Sequence, residues 1–222
     1  YHKWKNLIHG FEPMAANQLW AADITYIMLN NGDVCYLHLI TDAYSRMIVG
    51  WELADTLRAS ITIRALEQAI SQTGGVSLEG LIHHSDRGVQ YCCDDYVRTL
   101  QTHKIKISMT EDYNPTDNAI AERANGVIKT ETVYSRKTFN SLEHARNVIG
   151  RFIHFYNYRR PHMSIGYKIP AVVHTETGAQ KKMWKKKNYT KKMYNNENNG
   201  ISLPCRTTGE DDGCNHHTVY SI

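Results

Sequence analysis

The 222-residue sequence predicts a mixed α/β fold with five strands and four helices in the order β-β-β-α-β-α-β-α-α. Three observations carry this. Three apolar, β-rich runs near the start are joined by turn signals. Short strand-like runs then alternate with helical periods. Two long helical segments follow. A meander that passes into alternating strands and helices gives a mixed sheet with helices on both faces.

Each element has its own signal. Residues 1–17 are poorly periodic and read as an N-terminal arm. Trp20–Leu29, Val34–Thr41 and Met47–Leu53 are the three β-rich runs. Asn30-Asn31-Gly32-Asp33 joins the first two and is a hairpin signal. Asp42-Ala43-Tyr44-Ser45-Arg46 joins the second and third. Ala59–Thr73 is helical through Ile63, Leu66 and Ile70 and stops at Gly74-Gly75. Leu81–His84 reads as a short strand, Cys92–Thr102 as a helix and Lys104–Ser108 as a second short strand. Thr116 to about Tyr134 and Leu142–Tyr158 read as helices, the latter with Ser141 as N-cap. The pattern breaks down after Thr175. The expected organisation is an arm at 1–17, a core at 18–174 and a flexible Lys/Asn-rich tail at 175–222.

Composition narrows the function. An apolar content of 41% supports a real core, and a formal charge of +4 is compatible with a polyanionic partner. The charge is uneven: Lys181, Lys182, Lys185, Lys186, Lys187, Lys191 and Lys192 fall within 12 positions, with Trp184 and Tyr189 between them. This stretch either binds DNA backbone through counterion release or is a solvated extension. Cys35, Cys92, Cys93, Cys205 and Cys214 fit neither a disulfide framework nor a zinc site, and read as reduced thiols in a cytoplasm. The adjacent pairs His83-His84 and His216-His217 lack the helical spacing of metal-binding histidines. No apolar run approaches the roughly 20 residues that cross a bilayer, so no membrane partner is expected. No secretory signal opens the chain, and Tyr1 in place of Met reads as the start of a fragment or a trimmed chain.

Three carboxylates carry the chemistry. Asp23 interrupts an apolar strand, where a buried carboxylate is costly unless paired or metal-bound. Asp86 ends a short strand ahead of Gly88, a place for a turn former or for a binding-site acid. Glu122 follows 35 residues later on a helix whose apolar stripe is Ile120, Ala124, Val127 and Ile128. Glu122, Asn125, Gly126 and Lys129 form the opposite face, which is either a solvated surface or a metal ligand beside an amide, a glycine and a phosphate-binding cation. Asp117 sits where an N-cap belongs. Glu131 is about 180° from Glu122 on a straight helix, so it cannot share a site with it. Two strand acids and a helix acid can converge on a pair of divalent metals that clamp a phosphodiester during in-line displacement.

The runs Trp20-Ala-Ala-Asp-Ile-Thr-Tyr26, Asp42-Ala-Tyr-Ser-Arg46, Val49-Gly-Trp51 and His84-Ser-Asp-Arg-Gly-Val-Gln-Tyr91 come in that order. Asn114-Pro-Thr-Asp-Asn-Ala-Ile-Ala-Glu122, Lys129-Thr-Glu131 and Tyr156-Asn-Tyr-Arg-Arg-Pro-His162 follow. Together they resemble the catalytic polypeptide of IS-three-type insertion-sequence transposases, whose integrase core is similar to that of retroviruses. The resemblance covers roughly residues 1–174. It implies a ribonuclease-H-like fold, with Asp23, Asp86 and Glu122 as the catalytic and metal-binding triad. It implies two Mg²⁺ or Mn²⁺ ions, DNA ends and target DNA as partners, and a homo-oligomer on DNA. The expected reaction is cleavage at element ends by water, then attack of the freed 3′-hydroxyl on a second DNA site. Lys129, Arg123, Arg159, Arg160 and His162 are the candidate DNA contacts. The family's N-terminal helix-turn-helix has no counterpart in residues 1–17, so end recognition is expected to need a separate region. A nuclease that only hydrolyses, and an idle DNA-binding remnant, are the competing functions.

Overall fold

The computed structural model describes residues 4–111, 118–133 and 139–180. Five strands form one mixed sheet: β1 (Leu19–Met28), β2 (Val34–Asp42), β3 (Ile48–Ala54), β4 (Ile82–Ser85) and β5 (Lys106–Met109). Their spatial order is β3-β2-β1-β4-β5. The first three strands pair antiparallel as a meander, and β4 and β5 add in parallel. The expected meander and mixed sheet are both present.

Alternation along β1 and β2 sends side chains to two separate cores. Trp20, Ala22 and Ile40 face α1 (Ala59–Gln72) and α2 (Asp94–Thr102), where Ala65, Leu66, Ala69, Tyr96 and Leu100 are buried against them. Ile27, Leu37 and Leu39 face the other way, toward Ile128 of α3 (Ala119–Ile128) and Ala145, Val148 and Ile149 of α4 (Leu142–Tyr158). Helices thus cover both faces, as the periodicity predicts.

Polar groups fix the layers in place. Buried Asn157 of α4 brackets one peptide of β3: its Oδ1 accepts from Ile48 N and its Nδ2 donates to Ile48 O, both at 2.9 Å. Arg146 of α4 pairs with Glu52 and reaches the Leu53 carbonyl of the same strand. Asp42 serves the turn after β2, accepting from Ser45 N at 2.8 Å, Ser45 Oγ at 2.7 Å and Asn17 N at 2.8 Å.

Element ends show where tertiary forces override local pattern. Helix α4 begins after Ser141, whose Oγ accepts from His144 N at 3.1 Å, as expected. Helix α2 starts at Asp94, two residues later than Cys92. Residues 88–92 turn instead, with Tyr91 N donating to Gly88 O, and Asp94 and Asp95 take the first helical turn, where acids suit the helix dipole. Helix α3 starts at Ala119 with Asn118 at the N-cap position, three residues after the predicted start. It then passes into a π-helical turn at Lys129–Val133. Asp117, assigned as the cap, lies outside the described residues. A 3₁₀ turn at Met163–Ile165 and a short α5 (Pro170–Val173) had no periodic signal.

The segments beyond the predicted core are tied to it. Leu7 N donates to Ser108 Oγ at 2.8 Å, and Gly178 N donates to Met14 O at 2.7 Å. Gly178 O accepts from Tyr44 OH at 3.0 Å. Residues 175–180, read from the sequence as the start of the tail, therefore pack on the core. The Lys-rich stretch, Cys205 and Cys214 lie outside the described residues, and Cys35, Cys92 and Cys93 are free thiols.

Helix α1 lies so close to β3 that a Cβ at Gly50 would fall 2.2 Å from the Ala65 carbonyl oxygen and 2.9 Å from Ala69 Cβ. Gly50→Ala should therefore lower stability by about 1–3 kcal/mol through overpacking, read as a shift in the urea midpoint at unchanged slope. An unchanged midpoint would show that α1 can move off the sheet without cost.

Candidate active site

The site begins with strand register. In the parallel pair, Leu19, Trp20 and Ala21 of β1 stand opposite Ile82, His83 and His84 of β4. Asp86 lies two residues beyond the last of these pairs, close enough for its charge to act on Asp23. Parity puts Asp23 on the Leu37 and Leu39 side of the sheet, which is the side covered by α3.

Two asparagines fasten α3 over that point. Asn118 Nδ2 donates to the Ala22 carbonyl at 3.0 Å, and Asn125 Nδ2 donates to Asp23 Oδ2 at 2.6 Å. They lie two turns apart on one helix face, and Glu122 lies one turn before Asn125 on that face. Glu122 and Asp86 are exposed, whereas Asp23 is half-buried. Asp86 is shaped by its own turn: Oδ1 accepts from Gly88 N at 2.9 Å. A Cβ at residue 88 would come within 2.9 Å of that same oxygen, so any larger residue would displace the Asp86 carboxylate. The turn role and the site role of Asp86 are thus compatible.

The neighbouring histidines are structural. His84 Nδ1 and Ser108 Oγ are hydrogen-bonded at 2.8 Å, and His83 Nε2 pairs with Tyr96 OH at 2.8 Å. Burial lowers the His83 pKa to about 3, so it is neutral and uncharged toward the site.

The candidate DNA contacts divide into two groups. Lys129 shares the Glu122 face and lies over the Tyr26 ring, 4.2 Å from its centroid. Arg123 and Arg159 are exposed. Arg160 is engaged: its Nε bonds both oxygens of Glu131 at 3.1 Å, and Nη2 bonds Oε1 at 2.5 Å. His162 is buried against the Tyr156 ring, with centroids 4.4 Å apart, and burial lowers its pKa to about 4. Arg123, Arg160 and His162 line one cavity beside α3, whereas Lys129 shares the Glu122 face. Glu131, in the π turn, serves Arg160.

Electrostatics link the acids. Burial raises the Asp23 pKa to about 6, the Asn125 hydrogen bond opposes the rise, and the charges of Asp86 and then Glu122 add to it. Among the described residues, no three acid, histidine or cysteine side chains already stand close enough to hold an ion. The donor chemistry nevertheless fits a hard divalent cation. All three candidate ligands are carboxylates, and their mutual repulsion reaches Asp23, a cost that a cation would relieve.

The asparagine latch and the glycine at position 88 were missed as a unit in the sequence. The signal for the first was an asparagine pair seven residues apart on the helix that carries the acid. A folded pKa above the unfolded one means that stability falls as pH rises from about 4 to about 6, with the full penalty above that. Asp23→Asn keeps an acceptor for Asn125 and removes the charge. In EDTA it should stabilise the protein by up to about 3 kcal/mol at pH 7.5 and by less at pH 4.5. Equal urea-midpoint gains at the two pH values would rule out charge as the cause.

Known proteins fit this geometry. Two integrase core domain models match, one over residues 13–115 and the other over 103–170. A putative transposase for insertion sequence element IS986/IS6110 of Mycobacterium tuberculosis is 36% identical over 174 residues, covering 77% of this chain and 62% of that protein. The insertion element IS600 31 kDa protein of Shigella sonnei is 38% identical over 162 residues, covering 72% and 58%. The chain thus spans about 60% of the length of these relatives. Among solved structures, the HTLV-2 integrase catalytic core in complex with magnesium aligns with a TM-score of 0.58 at 20% identity, over 73% of this chain and 99% of that one. A chain of the simian T-cell lymphotropic virus intasome in complex with PP2A regulatory subunit B56 gamma aligns with a TM-score of 0.63 at 21% identity, over 79% and 60%. These structural matches establish the ribonuclease-H-like integrase fold. With that fold and integrase-core matches running together from residue 13 to residue 170, the chain belongs to the integrase core domain proteins and is similar to insertion-sequence transposases.

Proposed function

We propose that this chain is the catalytic core of a metal-dependent DNA transposase, with Asp23, Asp86 and Glu122 as its catalytic acids. One observation supports the reading: the charges of Asp86 and Glu122 both act on half-buried Asp23, and Asn125 latches the helix bearing Glu122 onto it. The three carboxylates would hold Mg²⁺ or Mn²⁺, two ions in the full site, which supply charge stabilisation to a pentacoordinate phosphorus. The magnesium of the HTLV-2 core supports this choice of ion.

The chain's own residues have defined tasks. Asn125 orients the Asp23 carboxylate, and the Gly88 turn orients Asp86. Lys129, on the same helix face as Glu122, offers a cation to a DNA phosphate. Arg123 and Arg159 add exposed positive charge. The reaction is two in-line displacements at phosphorus. In the first, water attacks and a 3′-oxygen leaves as the free hydroxyl. In the second, that hydroxyl attacks a target phosphodiester and displaces another 3′-oxygen. No serine, cysteine or tyrosine is required to carry DNA covalently.

DNA ends and target DNA are the proposed partners, with end recognition assigned to a helix-turn-helix region separate from residues 13–170. Joining two ends calls for a homo-oligomer on DNA, and the intasome neighbour supports it. No described helix is long and apolar enough to cross a membrane.

The deciding experiment is a nicking and strand-transfer assay with labelled oligonucleotide ends and supercoiled plasmid in Mg²⁺, Mn²⁺ or EDTA. Joining should require metal and fall by roughly a thousandfold or more in Glu122→Gln, reflecting several kcal/mol of lost charge stabilisation. Nicking without joining would support the nuclease reading instead. Retained DNA binding with neither reaction would support an idle remnant. Light scattering should show a dimer or larger species with DNA ends, and monomers alone would count against end joining.

A further inference from the structure

Of the basic residues around the acids, Arg160 and His162 are spent on Glu131 and Tyr156. Lys129 has a different kind of partner. Its ammonium lies over the ring of Tyr26, 4.2 Å from the centroid, and no carboxylate among the described residues forms an ion pair with it.

Tyr26 is out of character for its position. It belongs to β1, the central strand of the sheet, yet is 60% exposed. Side chains alternate along the strand, so Tyr26 points to the face opposite Asp23. The roof of α1 and α2 over that face covers Trp20 and Ala22 and stops short of Tyr26. The strand edge is open there as well. Strand β4 pairs with β1 only from Leu19 to Ala21, and no described strand borders that edge again until Phe139 bridges Leu29. Lys129 meets the ring around this open edge.

Both elements set the pair at the same distance from the acids. Tyr26 is three residues beyond Asp23, about 10 Å along a strand. Lys129 is seven residues beyond Glu122, again about 10 Å along a helix. That span is about three nucleotide steps along a duplex strand, at about 3.4 Å each.

We infer that Tyr26 is a positioning residue for DNA. Its ring holds the Lys129 ammonium at the open edge of β1, where the ammonium meets a phosphate about three nucleotides from the one at the acids. The inference deepens the transposase reading and rests on DNA being the substrate. A carboxylate in this place would also hold the lysine, but it would repel the phosphate. An aromatic face holds a cation without carrying a net negative charge. The ring covers one side of the ammonium, which keeps donors free for the phosphate. A lysine already stationed on a ring has less rotamer freedom to lose when DNA binds.

The test is fluorescence anisotropy with a fluorescein-labelled DNA duplex in EDTA, repeated over a range of KCl concentrations. Tyr26→Leu should weaken binding by about two- to fivefold, and Tyr26→Phe, which keeps the ring, should leave it unchanged. Lys129→Met should weaken binding and lower the salt slope by about 1. In the Lys129→Met background, Tyr26→Leu should have no further effect, a coupling that a merely structural role of the ring would not produce. Tyr26 is exposed, so both of its variants should keep the wild-type melting temperature. Wild-type affinity in Tyr26→Leu, an equal loss in Tyr26→Phe, or additive losses in the double variant would overturn the inference. Strand transfer separates this result from the broader reading. Joining by a chain whose DNA binding ignores Tyr26 keeps the transposase reading and sinks the positioning role. Tyr26-dependent binding without joining does the reverse, and a wild-type chain that binds no DNA sinks both.

Discussion

Strand β1 is bound along both edges, antiparallel to β2 and parallel to β4, and both of its faces are roofed by helices. A strand in that position is expected to be apolar throughout, and Leu19 to Ala22 are buried accordingly. Asp23 breaks the rule at the middle of the sheet. Its half-buried carboxylate is bonded to an amide rather than an arginine, and burial shows in its raised pKa. The neighbouring architecture can be read as the answer to that one constraint: an amide from above, a second acid on the adjacent strand and a third on the covering helix. Such an arrangement is poor economy for a folded domain and good preparation for a cation.

Helix α3 acts as a partition. One face brings Glu122 and Asn125 to the sheet acids, and the other forms the wall of an arginine-lined cavity. Its position is set by Asn118 and Asn125 as well as by the buried Ala121, Ala124 and Ile128. The π turn that follows carries Glu131 to Arg160, so the helix end is tied to the segment after α4 by an ion pair. The acids and the arginines of that cavity are thereby kept on opposite faces of a single helix.

The fold was legible where local pattern and tertiary packing agree. The meander, with its Asn-Gly turn, and helix α4, with its Ser141 cap, follow from alternation and capping chemistry alone. The acids were legible as an oddity, a carboxylate within an apolar strand. Their convergence was not, because the parallel register of β1 and β4 depends on the packing of the α1 crossover and leaves no local trace. Helix α2 starts late because residues 88–92 are used to turn the chain after Asp86. The 175–180 segment is folded back by contacts more than a hundred residues distant, such as Tyr44 with Gly178. The basic residues near position 160 read as a DNA cradle in one dimension. In three, Arg160 and His162 are taken by Glu131 and Tyr156, and Arg46, which the sequence showed only as part of a turn, buries two unpartnered guanidinium nitrogens.

The parallel register of β1 and β4 also determines which changes in length the chain can survive. The crossover between Ala54 and Ile82 runs over the sheet through α1 and can lengthen or shorten in its loops while β4 keeps its place. Between Leu81 and Asp86 there is no such slack. One inserted residue there would exchange the faces of β4, sending His83 out of its tyrosine pocket and Asp86 to the α1 and α2 side of the sheet. Insertions and deletions in descendants of this gene should therefore accumulate in the crossover and be purged from a window of only a few codons, even though none of the residues in that window except the last is a proposed catalytic acid.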